Sequence, residues 1–401
     1  MSSYPAAHER NKFMKFLHLA DLHLGRSLNE ISLIPDQKYL LDQILELSAQ
    51  EKPDAVLIAG DVYDRAVPSE EAVALLDAFL SELAAMRLPV LLISGNHDSD
   101  ERLNFGSRLL KESGIYICGK YDGTLRQVSL TDGYGPVHFW LLPYITRAQV
   151  QHFWPDEDTR TYESAVRTVL RHAEIDLTER NVLLAHQFVT PGKAGSGDPI
   201  LAGSETAAQN VGTIDRISSD VFDHFDYVAL GHIHRPQKVG RESIRYGGSP
   251  LRYSLSEVGQ DKAYTLVEMA NKGSHPAVTL IPVKPLHEMR LLKGHFEELM
   301  KPENIKYPDD YVFITLTDRT PVPDAFAAIQ AHYPNACGLR YELPESSKAA
   351  RSEKGISPEG DSVPTFSDQI RAFYRQILGE EPTDEEMKIL ESAAREAGVE
   401  D

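Results

Sequence analysis

Phe16-Leu17-His18-Leu19-Ala20-Asp21-Leu22-His23 is the segment that decides the fold: an apolar run long enough for one buried strand passes directly into an Asp-x-His pair. Near-continuous apolar residues over a few positions are expected of a strand covered on both faces. The same phrase recurs along the chain. Ala55 to Ala59 runs into Gly60-Asp61-Val62-Tyr63-Asp64, Val90 to Ser94 into Gly95-Asn96-His97-Asp98, Val182 to Ala185 into His186, and Tyr227 to Leu230 into Gly231-His232-Ile233-His234. Between the second and third of these runs, Ser69 is a cap for a crossover helix with Val73, Leu76, Phe79, Leu80 and Leu83 at helical spacing. Val137 to Leu142 adds a strand, while Tyr246, Ala263 to Met269 and Val278 to Val283 read as consecutive strands without helices between them. The fold class that follows is α/β, a layered mixed β-sheet sandwich with helices outside.

Lys284 to Pro308 reads as irregular, with prolines at 285, 302 and 308. A strand at Tyr311 to Leu316, a helix at Pro323 to His332 and a strand at Leu339 to Leu343 then predict a small β-α-β capping appendage. Pro344 to Pro364 has the Ser, Lys, Glu, Gly and Pro content of a linker. Two helix signatures follow. One runs from Ser367 through Ile370, Phe373, Tyr374, Ile377 and Leu378 to Gly379, and the other places Thr383 and Glu386 at capping-box spacing ahead of Met387, Leu390 and Ala394. The expected division is a polar leader at 1–13, a main domain at 14–284, the appendage at 285–343, a linker at 344–365 and a helical tail at 366–401. The tail either folds back on its parent or docks on a partner chain, and the long polar linker favours the partner.

The 401 residues carry 41 basic and 60 acidic side chains, a net charge of −19. Phosphate affinity comes largely from Lys and Arg, so this balance taken alone argues against a nucleic-acid partner. The objection weakens once the charge is located, because residues 341–401 hold 7 basic and 15 acidic side chains. No apolar run approaches the ~20 residues of a membrane span, and the polar opening Met1 to Lys12 carries no export signal. Two cysteines, Cys118 and Cys337, make no disulfide framework, so a cytoplasmic protein is expected.

Ends of neighbouring strands converge at a crevice, which is where open α/β sheets bind ligands. Asp21, His23, Asp61, Asn96, His186, His232 and His234 are seven oxygen and nitrogen ligands without a thiolate. That mixture suits manganese first, with magnesium, iron or zinc behind it. Seven ligands are too many for one ion with an open position and right for two ions sharing a bridge, for which Asp61 is the best candidate. His97 is not needed as a ligand and is free to protonate a leaving oxygen. Asp64 and Asp98 either orient histidines or end turns. Arg26, Lys193, Arg235 and Arg252 lie in or near the motif loops and are candidate phosphate contacts, and the glycines of the Gly192 to Gly197 loop serve either close approach to a sugar-phosphate backbone or flexibility alone.

These motifs, the opening Leu17-His18-Leu19-Ala20-Asp21-Leu22-His23-Leu24-Gly25, and Gly248-Ser249-Pro250-Leu251-Arg252-Tyr253-Ser254-Leu255-Ser256-Glu257 resemble the calcineurin-like metallophosphoesterase superfamily. Within it they resemble the bacterial SbcD-type branch of the Mre nucleases, over most of residues 14–343. The resemblance implies one manganese held by Asp21, His23, Asp61 and His234, a second held by Asp61, Asn96, His186 and His232, and His97 as the catalytic histidine. It implies 3′ to 5′ exonuclease action on duplex DNA ends and endonuclease action on single strands and hairpins, with the appendage binding DNA. It also implies a homodimer joined through the main domain and a heterotetramer with a coiled-coil SbcC-type ATPase that receives the tail, at the nucleoid, in repair and recombination. Asp64 stands where relatives outside the bacteria often carry a second histidine. Gly60-Asp61-Val62-Tyr63-Asp64-Arg65 also resembles the phosphoprotein phosphatase signature, but there the third motif ends in Glu where this chain has Asp98. A phosphatase or phosphodiesterase of small phosphoesters and a structural DNA-end clamp are the competing expectations.

Overall fold

The computed structural model describes residues 12–192, 199, 216–342, 371, 382–383 and 386–390. They fall in two compact units, Met1–Glu342 and Leu343–Asp401. In the first unit two six-stranded sheets lie face to face. One has the order Ala277–Pro282, Ala263–Met269, Met14–Leu19, Ala55–Ala59, Val90–Ile93, Ile115–Cys118, its last four strands parallel and its first two antiparallel. The other has the order Gln237–Val239, Arg241–Tyr246, Tyr227–Gly231, Arg180–His186, Gly135–Leu142, Arg126–Asp132. Phe16, Leu57, Leu91, Phe139, Val182, Tyr227 and Val267 fill the space between the sheets. Phe16 meets Phe139 and Tyr227 edge-on at centroid distances of 5.7 and 5.5 Å, the arrangement that aromatic quadrupoles favour.

Helices cover the outer faces. Ile34–Glu51 and Glu70–Ala85 bury Leu41, Ile44, Leu76, Phe79, Leu80 and Leu83 against the first sheet. The second of these starts as its sequence requires, with Ser69 Oγ accepting from the Ala72 N–H at 3.2 Å and Glu70 and Glu71 in the first turn. Arg147–Phe153 and Tyr162–Arg171 lie on the second sheet over Val150, Val166 and Val169. The layered mixed sandwich with helices outside is the observed architecture.

Residues 284–308 are not irregular throughout, contrary to the expectation above. Met289–Gly294 is the first strand of a parallel three-stranded sheet with Tyr311–Leu316 and Ala336–Tyr341, and Phe296–Leu299 is a helical turn. Met-Arg-Leu-Leu-Lys-Gly has no β-branched residue and leaves Leu291 43% exposed, so pairing with Tyr311–Leu316 makes it a strand, not its own pattern. The intervening helix is Ala325–Gln330, shorter than expected. In the second unit the Thr383 capping box is present, with the Glu386 N–H donating to Thr383 Oγ1 at 3.3 Å and the Thr383 N–H to Glu386 Oε2 at 2.8 Å. The helix expected from Ser367 to Leu378 lies outside the described residues, apart from helical Arg371. Among the described residues no helix is long and apolar enough to cross a membrane.

Candidate metal centre

All five motif loops leave the carboxyl ends of parallel strands, so they meet at one edge of the sandwich. Backbone pairing continues past the strands: the Asp21, His23 and Leu24 N–H groups donate to the Gly60, Asp61 and Val62 carbonyls at 3.1, 2.9 and 2.9 Å. This ladder sets Asp21 and His23 beside Asp61. Two glycines leave the necessary space. A Cβ on Gly60 would lie 2.3 Å from His186 Nδ1, and one on Gly95 would lie 2.1 Å from Asp61 Oδ1. Gly95→Ala should therefore displace Asp61 and lower both the melting temperature and divalent-metal uptake, as thermal unfolding with and without chelator would measure.

Asp21, His23, Asp61 and His232 all hold positive φ, at 52°, 44°, 49° and 101°. Such backbone costs of order 1–3 kcal/mol per residue and persists only where the surroundings over-determine it. Here it turns the side chains into the crevice.

Seven side chains converge in two overlapping groups. His23 Nε2 lies 3.1 Å from His234 Nε2, and ligand atoms of Asp21, His23 and His234 are all within 4.8 Å of one another. In the other group His186 Nε2 is 3.1 Å from Asn96 Oδ1, and His232 Nδ1 is 3.0 Å from the same oxygen. Asp61 Oδ2 lies 3.6 Å from His23 Nε2 and 3.3 Å from His186 Nε2, between the groups. Its other oxygen accepts the His97 backbone N–H at 2.9 Å. Asp21 Oδ1 accepts the His232 backbone N–H at 2.8 Å.

The donor set fits divalent cations. His186 Nδ1 must donate to the Ala59 carbonyl at 2.7 Å, and His234 Nδ1 faces Glu257 Oε1 at 3.3 Å, so each ring aims its second nitrogen inward. This is how metal-binding imidazoles are usually oriented. Inward nitrogens and oxygens thus crowd one another at 3.0 to 3.1 Å. Asp21 Oδ2 and His23 Nδ1 are buried without a hydrogen-bond partner, a costly state without a cation. The same crowding governs protonation. Burial would lower the His186 imidazole, but the Asp61 carboxylate more than offsets it and holds it up at about 9. Burial would raise Asp61, yet His186 and His23 hold it well below the usual carboxylate range. Burial lifts Asp21 to about 6, and burial pushes His23 down to about 4. These residues are the ones that would hold a divalent metal.

His97 is exposed beside the ligands, its ring 4.9 Å from that of His23, and its Nδ1 donates to the Asp64 carbonyl at 3.0 Å. Nε2 is therefore the ring nitrogen that this bond does not occupy. Asp98 accepts the Val62, Tyr63 and Gly95 N–H groups at 3.1, 2.9 and 2.8 Å, clamping the Asp61 loop to the Asn96 loop. Asp64 takes the Arg26 guanidinium at 2.8 Å and sits 3.6 Å from His23 Nδ1, too far for a hydrogen bond. Arg26 also lies over the Tyr253 ring at 5.2 Å, and Arg235 is half-buried next to His234. Arg252 is turned to Glu288 at 2.5 Å and the Gln260 carbonyl at 3.0 Å, away from the ligand set. Lys193 and most of the Gly192 to Gly197 loop lie outside the described residues.

Reasoning from the sequence missed the residues that hold the ligands. Gln37 donates to the His23 carbonyl at 2.7 Å, and Tyr253 donates to the Leu22 carbonyl. Glu257, fully buried, accepts from Lys262 Nζ at 2.6 Å as well as from His234. These attractions outweigh burial, which would raise it, and hold its carboxyl down at about 2. Glu257→Gln should lower divalent-metal affinity roughly 10- to 100-fold, the usual effect of removing a partner behind a ligating imidazole. Titration calorimetry on metal-free protein measures it.

The calcineurin-like phosphoesterase model matches residues 14–236, and the type 5 capsule protein repressor C-terminal domain model matches residues 285–376. The SbcD subunit of the SbcCD nuclease of Staphylococcus saprophyticus is 33% identical over 384 residues, 94% of this chain and 97% of that protein. Among solved structures, a dimetal phosphatase from Danio rerio has 15% identity and a TM-score of 0.38 over 68% of this chain and 99% of its own. TT1561 of Thermus thermophilus has 10% identity and a TM-score of 0.36 over 67% and 99%. With its five polar loops at one edge of a mixed sandwich and a relative aligned over 94% of this chain and 97% of its own length, the chain belongs to the calcineurin-like phosphoesterase family, in the branch of the SbcD nuclease subunits.

Proposed function

We propose that this chain is a metal-dependent DNA nuclease that cuts phosphodiester bonds at duplex ends, in single strands and in hairpins. The observation that carries the reading is the shared position of Asp61 Oδ2, 3.6 Å from one group of inward nitrogens and 3.3 Å from the other. It supports two ions, for which manganese suits the mixed imidazole and carboxylate set: one on Asp21, His23, Asp61 and His234, the other on Asp61, Asn96, His186 and His232. When bound, such a pair supplies Lewis acidity to the phosphoryl oxygens and a water of lowered pKa. The chain's own residues do the rest. His186 and His234 are held in register by Ala59 and Glu257, Asp98 keeps the Asp61 and Asn96 loops together, and His97 gives a proton to the leaving oxygen. Lys193, Arg26, Arg235 and Arg252 remain candidate phosphate contacts, with Arg252 having first to leave Glu288.

The name of the staphylococcal relative, which places it in an SbcCD assembly, supports a partnership with an SbcC-type ATPase, and the capped helix at Glu386–Leu390 supports a docking role for the tail. A homodimer through the main domain is supported by Phe105 and Leu109, 86% and 80% exposed just beyond the Asn96 loop. Leu109→Glu should convert a dimer to a monomer in light scattering, and an unchanged mass would remove this face from the interface.

The deciding experiment offers metal-free protein, reloaded with manganese, an end-labelled DNA hairpin and a small phosphomonoester, with and without the ATPase. Hairpin cleavage is expected. Phosphomonoester turnover with intact DNA would make the chain a phosphatase, and turnover of neither would make it a structural clamp.

A further inference from the structure

Two pairs of sequence neighbours each hold the three-stranded sheet with one side chain and the His23 loop with the next. Asp36 is fully buried near the start of the helix Ile34–Glu51. Its Oδ2 accepts the Tyr311 hydroxyl at 2.6 Å, and its Oδ1 accepts the His287 backbone N–H at 3.2 Å. Next to it, Gln37 donates to the His23 carbonyl at 2.7 Å and accepts the Gly25 N–H at 2.9 Å. Successive helix residues diverge by about 100°, so one turn reaches both sides. The second pair repeats the arrangement. Arg252 binds Glu288, beside His287, at 2.5 Å, whereas Tyr253 donates to the Leu22 carbonyl and sets its ring 5.4 Å from His23 and 5.9 Å from His234. A cavity of about 30 Å³ bounded in part by Leu33, Leu251, Met289 and Tyr311 lies in the same joint.

We propose that this joint positions the metal ligand His23: Asp36 and Arg252 are positioning residues that register where the three-stranded sheet sits and act on His23 through Gln37 and Tyr253. His23 is the sensitive point, because its backbone is strained at φ 44° and its ring Nδ1 has no hydrogen-bond partner. Apart from its own N–H, which donates to the Asp61 carbonyl at 2.9 Å, it is held in place through its carbonyl and its neighbours' backbone. A shift of the sheet that breaks Asp36 from Tyr311, or Arg252 from Glu288, is passed to a ligand without any contact between the sheet and the ions.

The inference rests on the metal-dependent reading above, and the test separates the two. Manganese is titrated calorimetrically into the full metal-free chain as wild type, Asp36→Asn, Tyr311→Phe, Arg252→Gln, Gln37→Met and the Asp36→Asn/Gln37→Met double variant, with melting temperatures alongside. Tyr311→Phe removes one hydroxyl and keeps the packing, so it stays informative if a bolder variant fails to fold. Each joint variant is expected to weaken manganese binding at least about fivefold, and the double variant to bind no more weakly than Gln37→Met alone, because residues acting through one path are not additive. Lower melting temperatures with manganese affinity within about twofold of wild type in Asp36→Asn and Tyr311→Phe would reduce the joint to scaffolding and overturn the proposal. Additive losses in the double variant would overturn it too, by showing that Asp36 does not act through Gln37. A wild type that takes up no manganese would sink the nuclease reading first.

Discussion

His97→Ala is expected to slow hairpin cleavage by roughly 100- to 10,000-fold, the range contributed by a positioned general acid, while both metal ions stay bound. The geometry separates proton transfer from metal binding. His97 Nδ1 is occupied by the Asp64 carbonyl at 3.0 Å, which leaves Nε2 as the exchanging nitrogen. What Asp61 receives from this residue is its backbone N–H, at 2.9 Å, and alanine retains that bond. The measurement is single-turnover cleavage of an end-labelled hairpin beside metal counting by elemental analysis. Equal loss of metal and rate would make His97 a ligand, as its nearness to His23 and Asp61 allows, and an unchanged rate would remove it from the chemistry.

Asp61→Asn should be more damaging, with cleavage falling below detection and metal content dropping from two ions to one or none. One oxygen of Asp61 lies between His23 Nε2 and His186 Nε2, so the substitution strikes both groups together. An amide presents either a weaker neutral oxygen or an N–H to the nitrogens that face Asp61. The carboxylate also holds the His186 imidazole up at about 9 by outweighing its burial, so without it His186 loses its proton at a lower pH. The Asp98 clamp is untouched, and the variant should remain folded. Two ions retained at wild-type affinity would show that Asp61 is no bridge.

Much of the fold was legible because its signals are local. Apolar runs at Phe16, Ala55, Val90, Val182 and Tyr227 mark strands buried on both faces, and the Ser69 and Thr383 caps announce their helices within three residues. The seven inward side chains were legible for the same reason, each standing just past a strand. What could not be read depends on distance. Tyr253 meets Leu22 across 231 positions, Glu257 meets His234 across 23, and neither carries a local mark that separates it from ordinary loop residues. Asp98 was left between two roles because only the fold reveals that its three N–H donors come from two different loops. Met289–Gly294 escaped because a strand made by its neighbour leaves no alternation of its own.

His23 and His234 come to within 3.1 Å of each other from positions 211 residues apart, and the two halves of the ligand set belong to different sheets. During synthesis a ribosome has therefore exposed Asp21, His23, Asp61, Asn96 and His97 long before the strand Tyr227–Gly231 exists to complete the set. A chain that ends before Tyr227 lacks His232 and His234, whatever the first sheet has already brought together. The set of seven side chains is complete only in a chain that has formed both sheets.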